Sequence, residues 1–509
     1  MPIPNLKNSA LINLKKFNTD IKNNALFYSA ALVLFIFSII IFSFTTEFYA
    51  FIDTASIWVR EIFGEFYLWL GLACVVFLLF IAFSKYGSIR LGSSPPQFDR
   101  LSWIAMLYSA GMGAGILLRA VQEPVFMFQN PPLKTGYPND IIALEFTFYQ
   151  WGFTAWAFYG IFALFIGYSL FIRKNNILLG TSLPQLKKIK GIPQSIDLLT
   201  ILTTVFGLVA AIGLGTTQIE GGISHLLAKE PGTLWMVIGL VFIICLLAFI
   251  SAYAGVEKGI KRISNWNIYI TVALLIFVFV QNDIIEILTQ FLTAIWYYLK
   301  DFFQLSLAIG DFNPGKQFLT DWTYYYWAFW LAWAPFTGIF IARISQGRSI
   351  REMILGVLIL PSLGSFLWFS VFGTSSFEII ENMAAYNGEF SDVFTSVFKF
   401  FESFPLSKFT NIVTVLLLIS FLVTSVDSAI YVLSMFSDKG NENPKKKYRL
   451  VWAALILIFS EAIILLGNVK PESDVLDAMQ KFLIIGSLPF AIFTALMMLL
   501  FVIEIRKKY

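Results

Sequence analysis

The sequence predicts an all-α membrane protein of twelve transmembrane helices, with two peripheral spans followed by two inverted five-helix repeats. Composition is the first reason: 58% of the 509 residues are hydrophobic and only 13% are charged, where a soluble domain carries roughly 25% charged residues. The second is that apolar runs longer than about 18 residues, each enough to cross ~30 Å of hydrocarbon, recur along the whole chain. The third is the placing of Lys and Arg. With the N-terminus inside, alternate segments hold 26 of the 36 basic residues, the opposite segments hold nine, and Arg119 lies within a span. That bias predicts an even number of crossings with both termini cytoplasmic. No A-x-A cleavage site follows the first apolar run, so it is read as a retained span.

The expected spans are 27–49, 66–84, 102–128, 143–172, 196–226, 234–254, 265–299, 321–342, 353–374, 409–436, 450–468 and 478–503. Residues 1–26 are polar and read as a flexible cytoplasmic terminus. Residues 27–100 hold the two peripheral spans, 101–300 the first repeat, 301–320 an amphipathic linker and 321–505 the second repeat. The stretch 376–408 mixes acids with Phe at helical spacing and predicts a second amphipathic helix on the outer face. Three spans look broken: the third at Gly111, Gly113 and Gly115, the fifth within "FGLVAAIGLGTTQIEGG", and the eighth at Pro335 and Gly338. Interrupted spans in corresponding positions of two halves mark the substrate site of many secondary transporters. The third and eighth spans stand five apart, which is the basis for the two repeats.

Several function classes are excluded. Cys74 and Cys245 lie in predicted spans and have neither disulfide nor metal spacing. His225 is the only histidine, too few for a membrane-embedded zinc enzyme. No convergent catalytic group is present, so an enzyme is not expected. A fixed channel would need a continuous polar lining, which these spans lack. The net charge of +4 comes largely from the inside anchors and does not point to nucleic acid.

The tryptophans carry the positive signal. Trp327, Trp330 and Trp333 recur every third residue in the eighth span. At 1.5 Å per residue Trp330 lies roughly 13 Å in, too deep for an interfacial belt. The fourth span carries Trp151, Trp156 and Tyr159; the last two share a helix face. Packing is the competing explanation for any one of them. Two aromatic clusters beside broken helices, however, make a cage. A quaternary ammonium offers no hydrogen bond, and cation–π contact gives about 0.5–2 kcal/mol per ring.

The stretches "GMGAG…EPVFMF", "WGFTAWAFYG", "DWTYYYWAFWLAWAPFTGIFIARISQGRSIREMILGVLILPSLGSFLWFSVFG" and "FLVTSVDSAIYVLSM" closely resemble the betaine/choline/carnitine transporter family over about 60–505. The resemblance implies the inverted-repeat fold of sodium-coupled amino-acid symporters and a homotrimer with 301–316 as contact helix. It also implies transport of betaine, choline, carnitine or related osmolytes. On it, Trp151, Trp156, Tyr159 and Trp330 form the aromatic box, Trp327 and Trp333 flank it, and Gly113 and Gly115 belong to the glycine run. Phe329 stands where relatives commonly have Trp. Choline carriers of the family often place Asp at the third glycine, so Gly115 points to a substrate with its own anion.

The resemblance also implies Na+ as coupling ion. Thr424 and Ser425, with the carbonyls of Phe421, Ser109 and Met112, would form one sodium site. Thr204 and Phe336 match a second, but Leu208 replaces a hydroxyl there. Arg119 departs from the family, which usually has an aromatic residue at this place; an intramembrane charge is by default functional. Either it pairs with Glu123 four residues on, or it lines the outer pathway and attracts an anion. Asp427 has two readings, capping the inner half of a broken tenth span or taking part in proton coupling; the resemblance, since the family carries an acid there too, favours a structural role near the ion site. Osmosensing relatives carry a long basic C-terminal helix, and since this chain stops at "EIRKKY", activation through such a tail is not expected. The expected function is import of a betaine-like zwitterion by sodium symport, with a sodium-independent or proton-coupled carrier of a more anionic osmolyte as the alternative.

Overall fold

The computed structural model describes residues 24–111, 113–229, 232–254, 257–441, 443–469 and 474–508, and every regular element among them is helical. Eleven helices are long and apolar enough to cross a membrane. The missing one of the expected twelve is the third span, which is present in pieces: α3 (Arg100–Gly111), α4 (Ala114–Arg119) and α5 (Gln122–Gln129). Before it come α1 (Ala25–Ser43) and α2 (Thr45–Phe83), so the first span ends at Phe44 and the second begins far earlier than its apolar core.

The fourth span is two helices, α6 (Asn139–Trp151) and α7 (Phe153–Gly167), parted at Gly152. The fifth is α8 (Ile192–Leu226), which runs without a break. This corrects the expectation from its glycines, which serve contact rather than interruption. A Cβ on Gly215 would meet Leu422 at 2.8 Å, and one on Gly222 would collide with the Phe398 ring. Small residues let helices approach closely in lipid, where packing rather than hydrophobicity drives association.

After α9 (Leu234–Ala254) the predicted seventh span divides into α10 (Glu257–Phe279) and α11 (Ile284–Leu307). Asp283 sets the second start by accepting hydrogen bonds from the backbone N–H groups of Ile285 and Glu286 at 2.9 and 3.1 Å. The amphipathic linker is thus 284–307 rather than 301–320. It buries Tyr298 and Asp301 on one side and exposes Ile285, Leu292, Trp296 and Phe303 on the other.

The eighth span, α12 (Tyr324–Ile344), is also unbroken, against expectation. Pro335 lacks an N–H and releases one carbonyl, which a helix packed on its neighbours tolerates. The irregularity lies at its N-terminal end, where residues Leu319–Thr323 form a π-turn. Then follow α13 (Ile350–Asn382), α14 (Ser396–Glu402), α15 (Ser407–Ser437), α16 (Lys446–Leu466) and α17 (Val475–Lys508). The stretch 376–408 is not a surface amphipathic helix: α13 continues into it, and the short α14 buries Phe398, Phe400 and Phe401. The tenth span, α15, is continuous, so Asp427 caps no half-helix.

Helix pairing follows a mirrored plan. α8 packs on α15 and α9 on α16; α12 packs on α7 while α13 packs on α3; α8 meets α12 while α15 meets α4. Exchanging spans 3, 4, 5 and 6 with 8, 9, 10 and 11 maps these contacts onto one another.

The start of span three, the end of span eight and the start of span nine are held by the loop "ISQGRSIRE". Buried Arg348 donates to Glu352 at 2.5 Å and to the Phe98 carbonyl at 2.9 Å, and lies 4.2 Å over the Trp103 ring. Trp103 Nε1 donates to Ser345 Oγ at 3.1 Å. Asp99 begins α3, accepting from the Ser102 N–H at 2.9 Å, and this hydrogen bond holds its carboxyl below the usual range.

Candidate substrate site

Gly152 makes the site possible. Its backbone leaves the helix at φ −96°, ψ −138°, and a Cβ there would lie 2.5 Å from the Phe148 carbonyl oxygen and 2.8 Å from both Phe366 and the Tyr298 hydroxyl. The break frees polar backbone groups, which a buried site must satisfy. Two aromatic side chains do so. The Phe153 N–H donates to the Tyr298 hydroxyl at 2.9 Å, and Trp330 Nε1 donates to the Gln150 carbonyl at 3.1 Å. The second bond fixes the indole of the eighth span against the fourth.

Trp330 is the shared ring of the resulting corner. Trp151 meets it edge to face at 5.2 Å between centroids and Tyr159 at 5.6 Å; Trp156 meets Tyr159 at 5.5 Å. All four are buried. Edge-to-face contact is a favourable arrangement of ring quadrupoles. Gly115, beside the break in the third span, faces this corner: a Cβ there would rest 3.7 Å from Trp151, an ordinary contact, and one on Gly113 would meet nothing within 4 Å.

The other tryptophans behave differently. Trp327 is fully buried between Tyr149 at 5.2 Å and Phe158 at 6.0 Å, with its Nε1 toward Gly71 of α2. It packs the scaffold rather than the corner. Trp333 is half-buried and pairs with Phe336 at 5.6 Å, one turn beyond the corner.

Arg119 is buried, donating to Gln122 Oε1 at 2.6 Å and lying 5.0 Å over the Trp322 ring. The i, i+4 ion pair with Glu123 is not formed among the described residues. Glu123 instead accepts from Trp151 Nε1 at 3.1 Å and from the Tyr326 hydroxyl. The ring planes of Phe318, Trp322, Tyr326 and Trp330 lie within 27° of their neighbours, at 6.0, 6.4 and 6.4 Å along one face of the eighth span.

Of the proposed sodium ligands, Ser109's side chain and Met112 lie outside the described residues. Thr424 donates its hydroxyl proton to the carbonyls of Ser420 at 2.9 Å and Phe421 at 3.1 Å, which leaves its oxygen free to accept or ligate; Ser425 is half-buried beside it. That chemistry fits a hard monovalent cation, and α15 carries these groups against α4. At the second position Thr204 donates to the Thr200 carbonyl at 2.8 Å, and Leu208 is buried with no oxygen to offer. Asp427 is buried facing Ser251 and Arg449, and His225 meets Glu402 at 3.1 Å. Both lie away from the aromatic corner.

Sequence reasoning named Glu123 only as a partner for Arg119 and missed Gln150, Tyr298, Tyr326 and Phe369, the last meeting Trp151 at 5.0 Å. The four-residue spacing of 318, 322, 326 and 330 was legible. That Glu123 serves two rings from different helices was not.

The chain matches the description "BCCT, betaine/carnitine/choline family transporter" over residues 25–509. It is 36% identical over 454 residues to a glycine betaine transporter of Bacillus subtilis, covering 87% of each chain. It is 32% identical over 494 residues to an ectoine/hydroxyectoine transporter of Virgibacillus pantothenticus, covering 94% of this chain and 96% of that one. An osmo-dependent choline transporter of Acinetobacter baylyi is 31% identical over 492 residues, covering 94% of this chain and 71% of its own.

Proposed function

The chain belongs to the betaine/carnitine/choline transporter family, and we propose that it imports a betaine-like methylated zwitterion, glycine betaine or a related quaternary ammonium or sulfonium osmolyte, by sodium symport. The observation that carries this is the corner of Trp151, Tyr159 and Trp330 beside the open flank of Gly115. A methylated cation over that corner is within the ~6 Å reach of ring faces. With glycine rather than a carboxylate at 115, the site adds no counter-charge there, which suits a molecule carrying its own.

The two halves work as inverted repeats in this reading, and the mirrored helix pairing supports it. One sodium, held by Thr424, Ser425 and the carbonyls of Phe421, Ser109 and Met112, drives uptake; each charge crossing gains about 2.3 kcal/mol per 100 mV. The protein sits in the bacterial cytoplasmic membrane with both termini inside, as its basic residues argue. It assembles as a homotrimer by analogy with the family, with exposed α11 replacing 301–316 as the contact helix.

A second reading rests on Arg119. Its charge, unpaired with Glu123, lies on Trp322 at the outer side of the corner, where a planar guanidinium suits a carboxylate or sulfonate. In that case the protein is a sodium-independent or proton-coupled carrier of a more anionic osmolyte. Competition separates the readings. Labelled glycine betaine uptake is challenged with choline, carnitine, a sulfonium analogue, ectoine and taurine, in wild type and in Arg119→Phe. Unchanged selectivity in the variant removes the second reading, and absence of betaine uptake in wild type removes the first.

A further inference from the structure

The aromatic corner is not isolated from charge. Glu123 is fully buried one side chain behind it. Its Oε2 accepts from Trp151 Nε1 at 3.1 Å and from the Tyr326 hydroxyl, and those two rings stand 5.8 Å apart. Oε1 accepts no hydrogen bond among the described residues. Arg119, one turn away, is turned to Gln122 and Trp322 instead. The carboxylate therefore spends its hydrogen bonds on the wall of the cage.

We propose that Glu123 is the positioning and charge-selecting residue of the site: it fixes the Trp151 and Tyr326 rings and makes the wall behind them negative, without touching the substrate. Two effects follow from one group. Fixing the rings sets the shape that receives a trimethylated head. Hydrogen bonds donated to a carboxylate polarise their donors, so the faces of Trp151 and Tyr326 become richer in electrons and hold a cation more strongly than unbonded rings. A neutral head of the same shape gains only the first effect. The proposal rests on the betaine-type reading above and names how that site tells charge from shape.

The test uses the full-length protein in proteoliposomes. Labelled glycine betaine uptake is inhibited by choline and by its uncharged tert-butyl analogue, in wild type, Glu123→Gln and Glu123→Leu. Glutamine keeps an acceptor for the rings but loses the charge. It is expected to raise the betaine KM and the choline inhibition constant by about tenfold, the scale of a lost cation–π increment, while inhibition by the neutral analogue stays within about twofold. Leucine removes the acceptor too and is expected to weaken all three. A choline-to-neutral ratio in Glu123→Gln equal to wild type overturns the proposal, whatever happens to Vmax. If a variant loses transport, quenching of tryptophan fluorescence by the same two compounds gives the ratio. If Glu123→Gln does not survive purification, Tyr326→Phe, which removes one donor, is read in its place. Failure of wild type to take up betaine is a separate result and sinks the parent reading instead.

Discussion

Trp327 and Trp330 are three residues apart on one helix, yet they do different work, and that difference is testable. Trp327 fills a fully enclosed space between Tyr149, Phe158 and α2. Its truncation to alanine is expected to cost about 3–5 kcal/mol of stability, seen as a lower melting temperature in detergent, with the betaine KM of the surviving protein little changed. Trp330→Ala is expected to raise that KM by about two- to thirtyfold, the loss of one cation–π face, plus the release of the Gln150 carbonyl. Equal KM effects from the two variants would contradict the assignment. A Cβ at Gly115 makes only an ordinary 3.7 Å contact with Trp151, so Gly115→Asp brings a carboxylate to the cage without a clash at its first atom. Competition assays should show choline gaining on betaine, because choline lacks its own anion; no gain removes Gly115 from the specificity set. The residue pattern of 151, 156, 159 and 330 was legible from type and spacing. Glu123 was not, because its importance lies in joining Trp151 of the fourth span to Tyr326 of the eighth, a contact no local pattern encodes.

Among elements, the break at Gly152 matters most, and it was hidden inside an apolar run that reads as one long span. Glycine and proline were read as breaks where α8 and α12 are in fact continuous. In α8 the glycines admit Leu422 and Phe398, and local sequence does not distinguish a glycine that bends from one that admits a neighbour. Likewise the run 265–299 was read as one span although Gln281, Asn282 and Asp283 interrupt its apolar residues, and Asp283 is the N-cap of the helix that follows. Gly152→Ala places a methyl 2.5 Å from the Phe148 carbonyl oxygen and 2.8 Å from Tyr298. Neighbours must shift, and the expected outcome is a strong loss of uptake. Tyr298→Phe removes only the acceptor of the Phe153 N–H, a cost of about 1–3 kcal/mol for an orphaned buried donor. It should lower stability and uptake more mildly. Gly152→Ala with wild-type uptake would show that the break is incidental.

At the scale of the whole molecule, composition alone pointed to the solvent, and the apolar runs to most of the spans. Length was the weaker guide: α2 extends 39 residues, and the third span survives only as three short helices. This follows from what the bilayer demands, since a run of sufficient hydropathy inserts whether or not it is one straight rod. The mirrored pairing of spans three to six with eight to eleven places the fragmented third span against α15, where Thr424 and Ser425 stand. In the proposed sodium symport, an ion joining α15 to the third span would steady the segment that carries Gly115. Thr424→Ala, which removes a hydroxyl oxygen while leaving the helix intact, is expected to raise the sodium concentration needed for half-maximal uptake several-fold. The betaine KM at saturating sodium should change less. An unchanged sodium dependence would detach Thr424 from coupling.

The measurement that bears most directly on sodium-coupled betaine import is uptake of labelled glycine betaine into proteoliposomes under an inward sodium gradient and under an equal potassium gradient. Wild type and Trp330→Ala are run side by side. Accumulation above the external concentration with sodium, absent with potassium and weakened in Trp330→Ala at low substrate, is the expected result. Equal uptake under both gradients, or no betaine uptake in wild type, would contradict it.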